Sequence, residues 1–135
     1  MRIKFRKVTT GLLSLLLTVV TIIACLSWRA QTNELVNTKW KGTMYVPNAA
    51  DVVISFKKDD VQILMGGRPI ETMSYQLNGD TITLKKSSGG SPCTNETGIY
   101  KYITKNNVLS FATVKDDCPT RVSAFSTDGY KKVTE

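Results

Sequence analysis

Three tight-turn signals constrain this chain more than anything else in it. Lys58-Asp59, Asn78-Gly79 and Asn106-Asn107 each stand between two short runs in which apolar and polar residues alternate. Such a pattern reads as a β-hairpin, and Asn-Gly is its strongest short signal. Asn-Asn suits a two-residue loop because Asn tolerates positive φ. Each turn implies a register. The first sets Phe56 opposite Val61, Ile54 opposite Ile63 and Val52 opposite Met65. The second sets Tyr75 beside Ile82 and Met73 beside Leu84, and the third sets Tyr102 opposite Phe111 and Tyr100 opposite Thr113. All three registers gather the bulky side chains onto one face, and a one-residue slip would send them to the other.

The remaining mature sequence continues the theme. A first strand runs from Thr38 to Val46 and stops at Pro47-Asn48; Asp51–Lys57 and Asp60–Met65 follow, then a loop at Gly66–Pro69. Glu71–Leu77, Asp80–Lys85 and the hairpin between Cys93 and Cys118 come next. Cys118-Pro119 can open a single helical turn with Pro at its first position, and Asp128–Val133 is a short last strand. No amphipathic helix of three turns can be drawn after Cys25. Eight short antiparallel strands with one apolar face bury it most simply by closing, which also removes exposed edges. The expected fold is therefore all-β: a small eight-stranded antiparallel up-and-down β-barrel. An open sandwich of the same strands is the alternative.

The barrel is expected over residues 38–135, and what precedes it has a different character. Arg2, Lys4, Arg6 and Lys7 form a basic start, and Val8–Trp28 carries no charge. This is the profile of a secretory signal, with an uncleaved membrane anchor or cleavage near Ser27 as rivals. Ile22-Ile23-Ala24-Cys25 resembles the lipobox of bacterial lipoprotein precursors. That resemblance implies a signal peptide over residues 1–24, lipidation of Cys25, and a polar tether over residues 25–37 with at most one helical turn. It places the protein in the bacterial cell envelope, with the membrane as a partner through the lipid. Leu26 stands where some lipoproteins retained at the inner membrane carry Asp, which favours the outer membrane.

Charge and cysteine count fit this division. The net charge of +7 includes four basic residues ahead of Cys25; the rest of the chain has 14 basic residues against 11 acidic, or +3, with signs alternating. No basic stripe remains to hold nucleic acid. Of three cysteines, a lipidated Cys25 leaves Cys93 and Cys118 to pair in an oxidising compartment. The bond would tie the entry of the last large hairpin to its exit; two unpaired buried thiols are the alternative.

From Leu35 the chain resembles the small lipocalin-like, calycin-type lipoproteins of bacteria. The matching residues are Leu35-Val36-Asn37-Thr38-Lys39-Trp40, Gly98-Ile99-Tyr100, Leu109-Ser110-Phe111 and Asp117-Cys118-Pro119-Thr120-Arg121. Thr38-Lys39-Trp40 replaces the Gly-x-Trp of true lipocalins. The resemblance implies that Trp40 sits at the closed end of the barrel with a basic side chain across it, which suggests Arg121.

Chemistry is sparse. There is no histidine, so the commonest general base and zinc ligand are missing. Asp59-Asp60 and Asp116-Asp117 fall at turns and read as solvated residues rather than an acid–base couple or calcium site. Gly66-Gly67-Arg68 is too short for a phosphate loop. The expectation is a non-enzymatic protein without cofactor or metal. What remains is the inner face: Trp40, Ile54, Phe56, Ile63, Met73, Tyr75, Ile82, Leu84, Tyr100, Tyr102, Leu109 and Phe111. Two readings stand. In one, Trp40, Tyr75, Tyr100, Tyr102 and Phe111 line a site for a small hydrophobic or amphipathic ligand, with Arg121 at its closed end. In the other, side chains fill the barrel, and loops 47–51, 66–69 and 87–97 contact an envelope protein or glycan.

Overall fold

The computed structural model describes residues 33–45 and 47–134, so Cys25 and the expected signal peptide lie outside the described residues. The chain forms β1 (Lys39–Tyr45), β2 (Ala49–Phe56), β3 (Asp60–Met65), β4 (Arg68–Asn78), β5 (Thr81–Gly89), β6 (Thr97–Lys105) and β7 (Val108–Lys115). A helix, α1 (Pro119–Phe125), and the short β8 (Tyr130–Lys132) complete it. The strands pair antiparallel in chain order and β8 returns to β1 through Trp40↔Lys132 and Lys41↔Lys131, closing the barrel. Asn33–Glu135 is one compact unit holding all eight strands among the described residues, the apolar core and the disulfide. Closure through β8 is short, reaching Trp40 and Lys41 of β1 and Val108 and Leu109 of β7, but the unit carries its own apolar core and so has what it needs to fold by itself.

The turns show how far local chemistry sets register. Asn106 and Asn107 have φ of 52° and 60°, the two positive values a type I′ turn requires. Tyr102 faces Phe111 and Tyr100 faces Thr113, as expected. Phe56 faces Val61 and Ile54 faces Ile63, also as expected. The Asn78-Gly79 expectation needs correction. The turn residues are Gly79-Asp80, with Asn78 paired to Thr81, so Tyr75 meets Leu84 and Leu77 meets Ile82. Gly79 alone has positive φ (60°), the glycine-first pattern of a type II′ loop. The shift is two residues, one full pleat repeat, so the apolar face is unchanged.

Gly66-Gly67, expected within a loop, is itself a two-residue turn with φ of 57° and 79°. It pairs Met65 with Arg68, and β4 therefore starts earlier than expected. Pro69, which has no N–H to give, is tolerated beside an irregularity at Ile63/Leu64 that leaves Ile70 as the extra residue. Met65, expected inside, is 42% exposed next to that turn.

The interior contains all twelve expected residues, Phe111 being half-buried and the others buried. It also takes Leu35, which is completely buried. Residues 33–37, expected within the tether, pack with the barrel: Asn33 Oδ1 accepts from the Leu35 and Val36 N–H groups, and the turn they form carries Leu35 into the core. A disulfide joins Cys93 to Cys118, closing a loop of 25 residues.

Candidate functional site

The barrel's two ends differ. Odd-numbered strands begin where β2–β3, β4–β5 and β6–β7 turn, and this end is shut. Trp40 Nε1 donates to Thr38 Oγ1 at 2.8 Å, and Thr38 Oγ1 donates to Leu35 O at 2.5 Å. Tyr75 OH donates to Lys57 O at 2.8 Å and accepts from Asn33 Nδ2 at 2.7 Å. Tyr102 OH reaches Gly79 O at 3.3 Å. Each hydroxyl finds an acceptor, which a largely buried tyrosine needs. Burial, and after it nearby acidic charge, raises the pKa of both Tyr75 and Tyr102.

The opposite end is recessed. Its three ladder irregularities lie on this side, at Ile63/Leu64, Thr72/Met73 and Ile99/Tyr100. Bulges of this kind bend strands and recur at barrel rims. The first two border, through Ile63 and Met73, a cavity of about 510 Å³ that opens at the rim. That volume lies within the usual range for small-molecule sites, roughly 300–1,000 Å³. Its wall comes from β1, β3 and the start of β4, from the β5–β6 loop at Gly90–Cys93, and from α1. Met44, Met65 and Met73 all line it, which is every methionine of the chain except Met1. Flexible, polarizable methionine side chains suit a surface that must adapt to its occupant.

Helix α1 crosses the mouth because of a buried polar knot beneath it. Arg121 is 4% exposed and the Asp116 side chain is completely buried. Arg121 Nε donates to Asp116 Oδ2 at 2.5 Å, and Nη2 donates to Asp116 Oδ1 at 2.8 Å and to Glu96 O at 2.9 Å. Tyr100 OH donates to Asp116 Oδ2, and the Cys118 N–H to Oδ1 at 2.8 Å. Burial pushes the Asp116 carboxyl up, but its donors outweigh that and hold it below its ordinary range. Burial likewise opposes the Arg121 charge, and Asp116 more than restores it. Tyr100 is raised well beyond an ordinary phenol, first by burial and then by Asp116. Gly98 makes the knot possible: a Cβ there would lie 2.9 Å from Arg121 Nε and 2.8 Å from Tyr100 Cε2, and would strike Asp116. The Cys93–Cys118 bridge pins the same corner to the β5–β6 loop.

Asp116 was expected as a solvated turn residue and is the opposite. The sequence showed an Asp-Asp pair at a strand end but not the arginine five residues on that folds back onto it. Arg121 was expected across Trp40 at the closed end; it stands at the mouth instead. The cation over Trp40 is Lys132, 5.7 Å from the ring centroid. Of the six residues expected to form a ligand site, only Arg121 borders the cavity. Trp40, Tyr75 and Tyr102 belong to the closed end. Tyr100 and Phe111 lie behind Phe125, with ring centroids 5.3 Å and 4.9 Å from it. Ile63 and Met73, expected on the inner face, do line the cavity.

The second charged wall residue is Glu71. It accepts from Ser91 Oγ at 2.7 Å and from the Ser91 N–H at 3.2 Å, with Lys86 Nζ 3.9 Å away. These contacts fasten the β5–β6 loop to β4. Among the described residues no group of three or more His, Cys, Asp or Glu is placed to hold a metal ion.

No protein-family model matches this chain, and neither curated proteins nor solved structures gave a match. The eight-stranded closed barrel is consistent with a lipocalin-like fold. The resemblance of residues 35–133 to bacterial lipocalin-like lipoproteins therefore rests on the sequence motifs and on this architecture.

Proposed function

We propose that the protein binds a small hydrophobic or amphipathic molecule in the mouth cavity and is not an enzyme. The observation that carries this reading is the methionine-lined cavity of about 510 Å³ bounded by a buried, incompletely bonded arginine. A filled closed end with a recess at the other end divides the barrel into a rigid base and an adaptable site. The lipobox-like Ile22–Cys25 supports a lipid-anchored protein of the bacterial cell envelope, on the outer membrane by the residue after Cys25. The barrel would then present its site close to a membrane that supplies amphipathic molecules.

A second reading has support from the rim, where Tyr45 is 52% exposed and Met65 42% exposed. In it the mouth loops meet an envelope protein or glycan. Organic extraction of protein purified from a bacterial envelope, followed by mass spectrometry, separates the two. A stoichiometric apolar molecule supports the first reading. An empty extract, with no uptake of neutral apolar probes, contradicts it.

A further inference from the structure

Charges that alternate along the chain come together across the sheet. On the outer surface the ladder runs Lys105↔Val108 from β6 to β7, Val108↔Lys131 from β7 to β8, and Lys131↔Lys41 from β8 to β1. Three lysines from three strands therefore stand in one cross-strand row, and all three are exposed. Lys132 lies at its edge, with Nζ 5.7 Å from the centre of the Trp40 ring. No acid enters the row. Lys101 pairs with Asp80 and Lys86 with Glu71, but among the described residues Lys41, Lys105, Lys131 and Lys132 form no ion pair. Among those residues two pairs register β8 on β1, and one of the two sets lysine directly against lysine. Like charges so placed destabilise a sheet, and here they do so at the seam that closes the barrel.

The same side carries apolar residues. Ile103, two residues before Lys105 on β6, and Val133, directly after β8, are both exposed. A soluble polyanion would meet the lysines and leave these side chains in water, whereas the interface of an anionic bilayer takes both. The row also lies toward the end at which the described chain begins, where Asn33 Nδ2 donates to Tyr75 OH. A lipid on Cys25, eight residues earlier, would hold that end within about 28 Å of a bilayer. We infer that the side of the barrel formed by β6, β7, β8 and β1 rests on a bilayer surface containing anionic lipid, through Lys41, Lys105, Lys131 and Lys132, with Ile103 and Val133 in the interface. This rests on the lipid-anchored reading given above and extends it, from a protein held by its lipid alone to a barrel that itself meets the membrane. The mouth cavity, at the other end, stays uncovered.

The unit Asn33–Glu135, with its disulfide formed, is mixed at low ionic strength with vesicles of phosphatidylcholine, alone or with an equal part of phosphatidylglycerol. Bound protein is measured by co-sedimentation. Partition onto the anionic vesicles is expected to be roughly tenfold stronger, or more, and to weaken as salt is raised. Lys41→Gln with Lys131→Gln is expected to weaken it about twentyfold, near fivefold for each lysine. Relief of their repulsion keeps that variant as stable as wild type, so lost binding is not lost folding. Lys85→Gln with Lys115→Gln removes the same charge from exposed positions outside the row, and is expected to stay within about twofold of wild type. Equal partition onto the two kinds of vesicle, or an equal loss in the two double variants, would overturn the inference. So would binding to dextran sulfate without binding to vesicles, which assigns the face to a soluble polyanion. None of these variants touches the cavity or Cys25. Uptake of apolar probes and fatty-acid labelling of Cys25 therefore test the earlier reading separately, and the two can fail independently.

Discussion

Arg121 and Asp116 form a two-point ion pair beneath α1, with Nε–Oδ2 at 2.5 Å and Nη2–Oδ1 at 2.8 Å, and both side chains are withdrawn from solvent. The pair lies five residues apart across the strand-to-helix junction, so it fixes the helix that walls the cavity. Removing one partner leaves the other charged and buried. Asp116→Ala is expected to lower stability by about 3–5 kcal/mol, read from the urea midpoint. Replacing both partners, with Asp116→Leu and Arg121→Met together, is expected to cost less than the single change. A double variant less stable than the single would contradict this account.

The same knot gives stability a pH dependence at both extremes. The folded Asp116 carboxyl lies below its unfolded value, about 3.9, so the unfolded chain binds the proton first. The contribution is fully present above that value and is lost as pH falls through the folded pKa. Tyr100 runs the other way, since its folded pKa is raised above the usual phenol value of about 10. Its contribution is present below pH 10 and declines above it. Urea midpoints measured from pH 5 to pH 2 are expected to fall more steeply for the wild type than for Asp116→Asn. An ultraviolet titration is expected to show Tyr100 ionising only with unfolding.

Gly98 is required for what it lacks. A methyl group there meets Arg121 Nε at 2.9 Å and a ring carbon of Tyr100 at 2.8 Å, and these buried neighbours are both held by hydrogen bonds to Asp116. Gly98→Ala is expected to destabilise by about 1–3 kcal/mol. Gly90→Ala, whose Cβ would meet nothing within 4 Å, is expected to stay within about 0.5 kcal/mol of wild type. Thermal denaturation of the two variants side by side checks the contrast.

The disulfide holds the β5–β6 loop to the start of α1 across a 25-residue loop. Cys93→Ser with Cys118→Ser is expected to lower stability by about 3.5 kcal/mol on the chain-entropy account. Because both the loop and the helix wall the cavity, the double variant is also expected to weaken probe binding more than stability alone explains. Fluorescence titration well below the unfolding midpoint checks that part.

Much of the barrel was legible in the chain because alternation and turn chemistry act locally. Asn106-Asn107 fixed its own register, and so did Lys58-Asp59. Asn78-Gly79 was misplaced by one position because Gly79-Asp80 offers the competing glycine-first turn, yet the resulting two-residue shift spared the inner face. Depth was the part that alternation does not encode. It tells that Tyr75, Tyr102, Ile63 and Met73 all point inward, but not that the first two seal the closed end and the last two line the mouth. The ladder irregularities on that side of the barrel, at Ile63/Leu64, Thr72/Met73 and Ile99/Tyr100, carry no turn residue to announce them. The fold of Arg121 onto Asp116 was equally hidden, since it depends on where α1 settles rather than on spacing.

The distribution of methionine offers the most direct test of the site. Met44, Met65 and Met73 line the cavity, and Met1 lies outside the unit Asn33–Glu135. A ¹³C-methyl methionine spectrum of that unit therefore consists of cavity reporters alone. On titration with methyl decanoate, all three methyl signals are expected to shift together and saturate at one equivalent. Signals that stay in place while ligand is in excess would contradict the assignment of this cavity as the binding site.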